Sequence, residues 1–167
     1  KISLPLICSN FYKMNVLLFD NHDSFSWILS HDLERAGVSV EVVRPEALAI
    51  DVEKLLTPFD AIVLSPGPGM PSDAPGLMDV LASAVKLKKP ILGVCLGLQA
   101  IVEYFGGELE NMNEVLHGRV GVLEIVENCD IFENINSGCE VGHYHSWCAV
   151  ESRLPSDLSV LARSDTK

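Results

Sequence analysis

The run Pro90-Ile-Leu-Gly-Val-Cys-Leu-Gly-Leu-Gln-Ala-Ile-Val102 constrains this chain more than any other stretch. Ile91, Leu92 and Val94 are apolar and partly β-branched, as a central parallel strand requires. Gly93 and Gly97 bracket Cys95 and keep its surroundings free of side chains, which permits a strained turn and the close approach of another molecule. From Leu98, apolar residues at 98, 101, 102 and 105 follow helical spacing. A strand, a sharp turn carrying a thiol and an immediate helix belong to an α/β fold. The N–H groups at a helix start favour thiolate over thiol and can also hold an oxyanion, so Cys95 is expected to have a lowered pKa. It is the cysteine counterpart of a nucleophile elbow. A buried, inert cysteine fits the same residues, and Gly-x-Cys-x-Gly alone leaves both readings open.

The rest of the chain supplies the sheet around this unit. Asn15–Phe19 reads as a first strand, ending in Asp20-Asn21-His22-Asp23-Ser24 with an N-cap at Asp23 or Ser24. A helix follows with Phe25, Ile28, Leu29 and Leu33 on its apolar face, and Gly37 stops it. Val38–Val43 is a second strand, and the β-α-β order implies a right-handed crossover and a parallel sheet. A short helix over 51–56, a strand over 60–64 and a helix over 75–86 continue the pattern. Between the last two lies Ser65-Pro-Gly-Pro-Gly-Met-Pro71, which can neither extend a strand nor open a helix. It sits at the carboxyl end of a parallel strand, where open α/β sheets bind ligands. Beyond Gly106-Gly107 the period shifts. Val120, Val122 and Ile125, then 138–141, 147–150 and 158–161, read as short strands of an antiparallel extension.

The 167 residues suffice for one domain with a substantial core. Net charge is −11, concentrated after residue 102, where 12 acids face 4 bases. Such a surface repels nucleic acid and anionic membranes. Five cysteines without a Cys-x-x-Cys pair suggest neither a disulfide framework nor a zinc site, and a reducing cytoplasm is the simplest compartment. No apolar run approaches the ~20 residues of a membrane span. Residues 1–13 read as an extension outside the core, with the domain proper over 14–167.

Several of these stretches resemble one family. Gly93-Val-Cys-Leu-Gly-Leu-Gln99 resembles the nucleophile motif of the class I, triad-type glutamine amidotransferases. Asp20-Asn-His-Asp-Ser-Phe25, the Pro66-Gly-Pro-Gly69 loop, Leu116-His-Gly-Arg119 and Val141-Gly-His-Tyr-His-Ser-Trp147 are similar to segments of its chorismate-linked subgroup, the glutaminase components of anthranilate synthase and aminodeoxychorismate synthase. The resemblance runs from about Met14 onward. It implies an open, mostly parallel, flavodoxin-like sheet flanked by helices, with a small antiparallel extension. It implies glutamine hydrolysis through a Cys95 thioester, with Gly67, Pro68, Gly69, Leu96, Gln99, Ser146 and Trp147 holding the substrate; nothing in the sequence suggests a metal or organic cofactor. It also implies a chorismate-binding synthase subunit as partner, in tryptophan or folate biosynthesis.

The family's proton shuttle is a His with a Glu two residues on. No His-x-Glu occurs in residues 1–167. The expectation is that the domain is cut before that segment, since a sheet ending just after a strand leaves apolar surface uncovered. His143 and His145 are candidate bases on chemistry alone, although their position matches a substrate-binding segment. A catalytically silent partner subunit and an unrelated cysteine hydrolase are the competing readings.

Overall fold

The computed structural model describes residues 13–48 and 51–165, with side chains for all of these but 113–116. Lys13 apart, the N-terminal extension lies outside the described residues.

Four strands form the expected parallel sheet. β1 (Asn15–Phe19) pairs with β2 (Ser39–Val43) and with β3 (Ala61–Leu64), and β3 pairs with β4 (Ile91–Gly93), giving the order β2-β1-β3-β4. Alternation along each strand loads both faces, which is why these runs are almost wholly apolar. One face carries Leu17, Phe19, Ile62 and Leu64 against α2 (Val52–Leu56), α3 (Leu77–Lys86) and α4 (Leu96–Tyr104). Val16, Leu18 and Val63 face the other way, toward Leu29 and Leu33 of α1 (Ser26–Arg35). Helices therefore cover the sheet from both sides, as in a doubly wound α/β domain.

Expectations shift on three elements. β4 is an edge strand among the described residues, not a central one, and Leu92 is 43% exposed. Its register partner Val63 is buried, because α1 packs over the β2–β1 half of that face and does not reach β4. On α1, Leu29 and Leu33 pack onto the sheet as expected, whereas Phe25 and Ile28 are exposed and Ser26 and Ser30 are buried instead. The helix begins at Ser26 rather than directly after Asp23 or Ser24. Asp23 still closes its entry, accepting the Phe25 N–H on Oδ1 at 2.8 Å and the Ser26 N–H on its carbonyl at 3.2 Å. On α4 the buried face is Leu96, Gly97, Gln99, Ala100 and Val102, and Leu98 points to solvent. The helix starts two residues earlier than the apolar spacing suggested, because Gly97 must press against Leu64 of β3.

The second sheet is antiparallel, in the order β6-β5-β7. β5 (Leu109–Ile125) is a single strand of 17 residues whose pairing with β6 (Glu140–Ala149) is interrupted at 111/116 and 117/119. β7 (Ala162–Ser164) follows the apolar run at 158–161 rather than containing it. Arg163 anchors β7, opposite Glu124 in register and paired with Glu151. Among the described residues no helix is long and apolar enough to cross a membrane.

Candidate active site

The carboxyl ends of β1, β3 and β4 bring three loops together. The one after β4 is the sharpest. Cys95 has φ 51° and ψ −106°, a conformation L residues rarely adopt, and it hands the chain directly to α4. The turn closes only because its flanking residues are glycines. A Cβ on Gly93 would lie 2.5 Å from the Gly97 carbonyl carbon, and one on Gly97 would lie 2.4 Å from the Leu64 carbonyl oxygen. The Val94 N–H, bonded to that same Leu64 oxygen at 2.9 Å, continues the sheet up to the turn.

The thiol does not behave as its motif suggested. Burial pushes the Cys95 thiol up, the N–H of Leu96 bonded to it pulls the other way, and the nearby Asp23 carboxylate adds to the rise. The net direction is upward, so the expectation of a lowered pKa is corrected. A single helix-start N–H does not offset desolvation of a half-buried thiolate.

The loop after β3 lies against the elbow. A Cβ on Gly67 would fall 2.5 Å from Leu96 Cδ2 and 2.7 Å from Asn21 Cβ, so this glycine allows two neighbours to close on the backbone. Gly69 has open space around it but φ +77°, and needs glycine for conformation instead. Pro68, between them, is exposed. Among the described residues the N–H groups of Gly67 and Gly69 have no hydrogen-bond partner. They are unused donors on a loop whose Gly67 packs on Leu96, the residue after the thiol.

The loop after β1 carries residues that sequence reasoning treated as a helix cap. Asp20 is fully buried and accepts from the Ser26 hydroxyl at 2.6 Å, Arg44 Nε at 2.8 Å and the Asp23 N–H at 3.2 Å. Burial raises its pKa, but these donors outweigh burial and hold the carboxyl below the usual carboxylate range. Asn21 is bonded to Ser65 at the end of β3. The signal for both was position: a polar run directly at the carboxyl end of the first strand.

From the antiparallel sheet, Gln99 Nε2 of α4 donates to the Trp147 carbonyl at 3.1 Å, which draws β6 to the elbow helix. Ser146 and Trp147 are half-buried there. Tyr144 lies obliquely to Phe25, ring centroids 6.2 Å apart. His143 and His145 lie on the opposite face of β6 from Tyr144. His143 Nε2 is 2.8 Å from Ser164 Oγ, the two imidazoles are 5.3 Å apart, and neither is bonded to Cys95. Burial, then the neighbouring His143 and His117, depress the His145 pKa.

A strained cysteine between a parallel strand and a helix, with the Gly67 loop packed on the next residue, makes this a candidate site on a doubly wound sheet. Residues 17–167 match the family glutamine amidotransferase class-I, and the chain belongs to it. Anthranilate synthase component 2 of Vibrio parahaemolyticus is 36% identical over 153 residues, 90% of this chain and 76% of that protein. The component 2 of Helicobacter pylori strain J99 is 36% identical over 157 residues, 91% of this chain and 78% of that protein. A multifunctional tryptophan biosynthesis protein of Pichia angusta is 38% identical over 151 residues, 90% of this chain but 41% of that protein. Among solved structures, a glutamine amidotransferase from Thermotoga maritima superposes with a TM-score of 0.71 at 17% identity, covering 92% of this chain and 68% of that one. One from Methylobacillus flagellatus gives 0.63 at 18%, covering 92% and 61%. At such identities these two likenesses show the fold alone.

Proposed function

We propose that this chain hydrolyses the side-chain amide of glutamine through a Cys95 thioester and passes the ammonia to a chorismate-binding synthase subunit. The observation that carries the reading is the elbow itself: Cys95 held at φ 51° at the start of α4, with Gly67 of the loop after β3 packed on Leu96, the next residue. Cys95 sulfur attacks the amide carbon, and the carbonyl oxygen takes the negative charge against Gly67, Gly69 and Leu96 N–H groups. Ammonia leaves with a proton delivered to the amide nitrogen. Water then adds to the glutamyl thioester, glutamate departs and the thiol is restored. Gln99, Ser146 and Trp147 hold the substrate. Names of the relatives support the branch leading to anthranilate and tryptophan.

Each proton step needs a base, and burial makes that need sharper because it keeps the Cys95 thiol neutral. The family resemblance assigns this task to a His-x-Glu pair, which residues 1–167 do not contain. Residues 1–167 alone are therefore expected to release glutamate slowly, and a chain carrying such a pair downstream to do so rapidly. The test is glutamate release from glutamine with the synthase subunit present, for both lengths and for Cys95→Ser. Turnover surviving Cys95→Ser overturns the nucleophile. Equal turnover by the two lengths places the base within 1–167.

A further inference from the structure

The Asn21–Ser65 pair sits at the carboxyl ends of β1 and β3, next to the Gly67 loop. The Asn21 N–H donates to Ser65 Oγ at 2.9 Å, and Asn21 Nδ2 donates to the Ser65 carbonyl at 3.0 Å and to Oγ at 3.4 Å. Ser65 Oγ in turn donates to the Pro66 carbonyl at 2.6 Å. That hydroxyl is then saturated, with its one proton given and both lone pairs filled. Its proton has a single place to go, the Pro66 oxygen.

The Pro66 carbonyl and the Gly67 N–H belong to one planar peptide group. The bond is trans, since the described chain has no cis peptide, so the two point in opposite directions. Pinning the Pro66 oxygen from one side aims the Gly67 N–H to the other. The Pro66 ring restricts φ on the near side, and Gly67 itself is wedged between Asn21 Cβ and Leu96.

Asn21 Oδ1 is buried without a partner. Turning the amide over does not relieve this. It sets Oδ1 against the Ser65 carbonyl and a saturated hydroxyl, oxygen facing oxygen. A buried orphan acceptor normally calls for an explanation. Here it is the consequence of committing both Nδ2 contacts to Ser65.

We propose that Asn21 is a positioning residue for the reaction: through the Ser65 hydroxyl it fixes the Pro66–Gly67 peptide plane, and so aims the Gly67 N–H as an oxyanion donor. This rests on the glutaminase reading above, and it gives Asn21 and Ser65 a role in rate rather than in substrate affinity.

A 13C-labelled γ-aldehyde analogue of glutamine tests it. Cys95 sulfur adds to the aldehyde carbon, the thiol proton passes to the oxygen, and the tetrahedral adduct is read by NMR. Iodoacetamide is the control, because its alkylation displaces iodide at carbon and makes no oxyanion. In the full-length chain, Ser65→Ala and Asn21→Leu are expected to weaken aldehyde binding by about 10- to 100-fold, a fraction of the loss typical for removing one donor outright. Iodoacetamide labelling of Cys95 should stay within about 2-fold, and glutamine kcat should fall with KM nearly unchanged. If Asn21→Leu does not fold, Ser65→Ala decides, since it removes one hydroxyl. Unchanged aldehyde affinity in the variants, or iodoacetamide labelling that falls in parallel, overturns the relay. Wild-type chain that neither forms the adduct nor releases glutamate overturns the glutaminase reading, and the relay with it.

Discussion

At Cys95 three effects compete, and burial wins. The Leu96 N–H favours the thiolate, while desolvation and the Asp23 carboxylate disfavour it. The neutral thiol is the favoured form in the fold. Its contribution to stability is complete below the ordinary thiol value of 9.0 and is lost as pH rises through the higher folded value. Iodoacetamide should therefore label Cys95 with a pH profile displaced upward from that of the same chain in denaturant. A diazo-ketone shaped like glutamine should nevertheless choose Cys95 ahead of Cys129, Cys139 and Cys148, because the site presents its carbon to the sulfur. Peptide mapping across pH checks both. A native profile displaced downward would mean that a charge partner outweighs burial.

Among the elements, the 66–69 stretch after β3 contains two glycines with different physical reasons. Gly67 is required for closeness, with Leu96 Cδ2 and Asn21 Cβ within 2.7 Å of any added carbon. Gly69 is required for φ +77°, and its nearest neighbour, Asp73, is 3.9 Å away. Gly67→Ala should push Leu96 off its place at the start of α4, with an overpacking cost of about 1–3 kcal/mol. It should lower kcat by about 10²-fold or more through a displaced donor. Gly69→Ala should cost roughly 1–2 kcal/mol through backbone strain alone. Denaturant midpoints alongside kcat separate the two. Gly67→Ala with a lowered midpoint and wild-type kcat would reduce the loop to a packing feature.

Across the molecule, the two sheets meet at the site through few groups. Gln99 bonds the Trp147 carbonyl, and Phe25 meets Tyr144. On the proposed glutaminase reading, the parallel sheet supplies the nucleophile and the donors, and the antiparallel sheet supplies the wall that holds the substrate. Gln99→Ala removes one such link, worth about 0.5–1.5 kcal/mol for a neutral hydrogen bond. The expected outcome is a glutamine KM raised by about 3- to 10-fold with kcat little changed, measured as glutamate release. A fall in kcat with constant KM would instead put Gln99 among the groups that act in the transition state.

The sequence by itself determined the elements whose cause is local. The patterning at 15–19, 38–43 and 60–64 marked strands, Gly37 marked the stop of α1, and the glycines around Cys95 marked a sharp turn. Cys95 and the Gly67 loop could be picked out through the family resemblance, since Gly-x-Cys-x-Gly alone fits a buried, inert cysteine as well. Tertiary structure decided the rest. Whether Leu92 is buried depends on what covers its face of the sheet, and the β4 run itself carries no record of that. The direction of the Cys95 pKa depends on how deeply the surrounding loops desolvate it. Asn21 and Ser65 are 44 residues apart and each is ordinary in its own context. Only the pairing of β1 with β3 sets them side by side, and only there does an asparagine at a strand end acquire a bearing on Gly67.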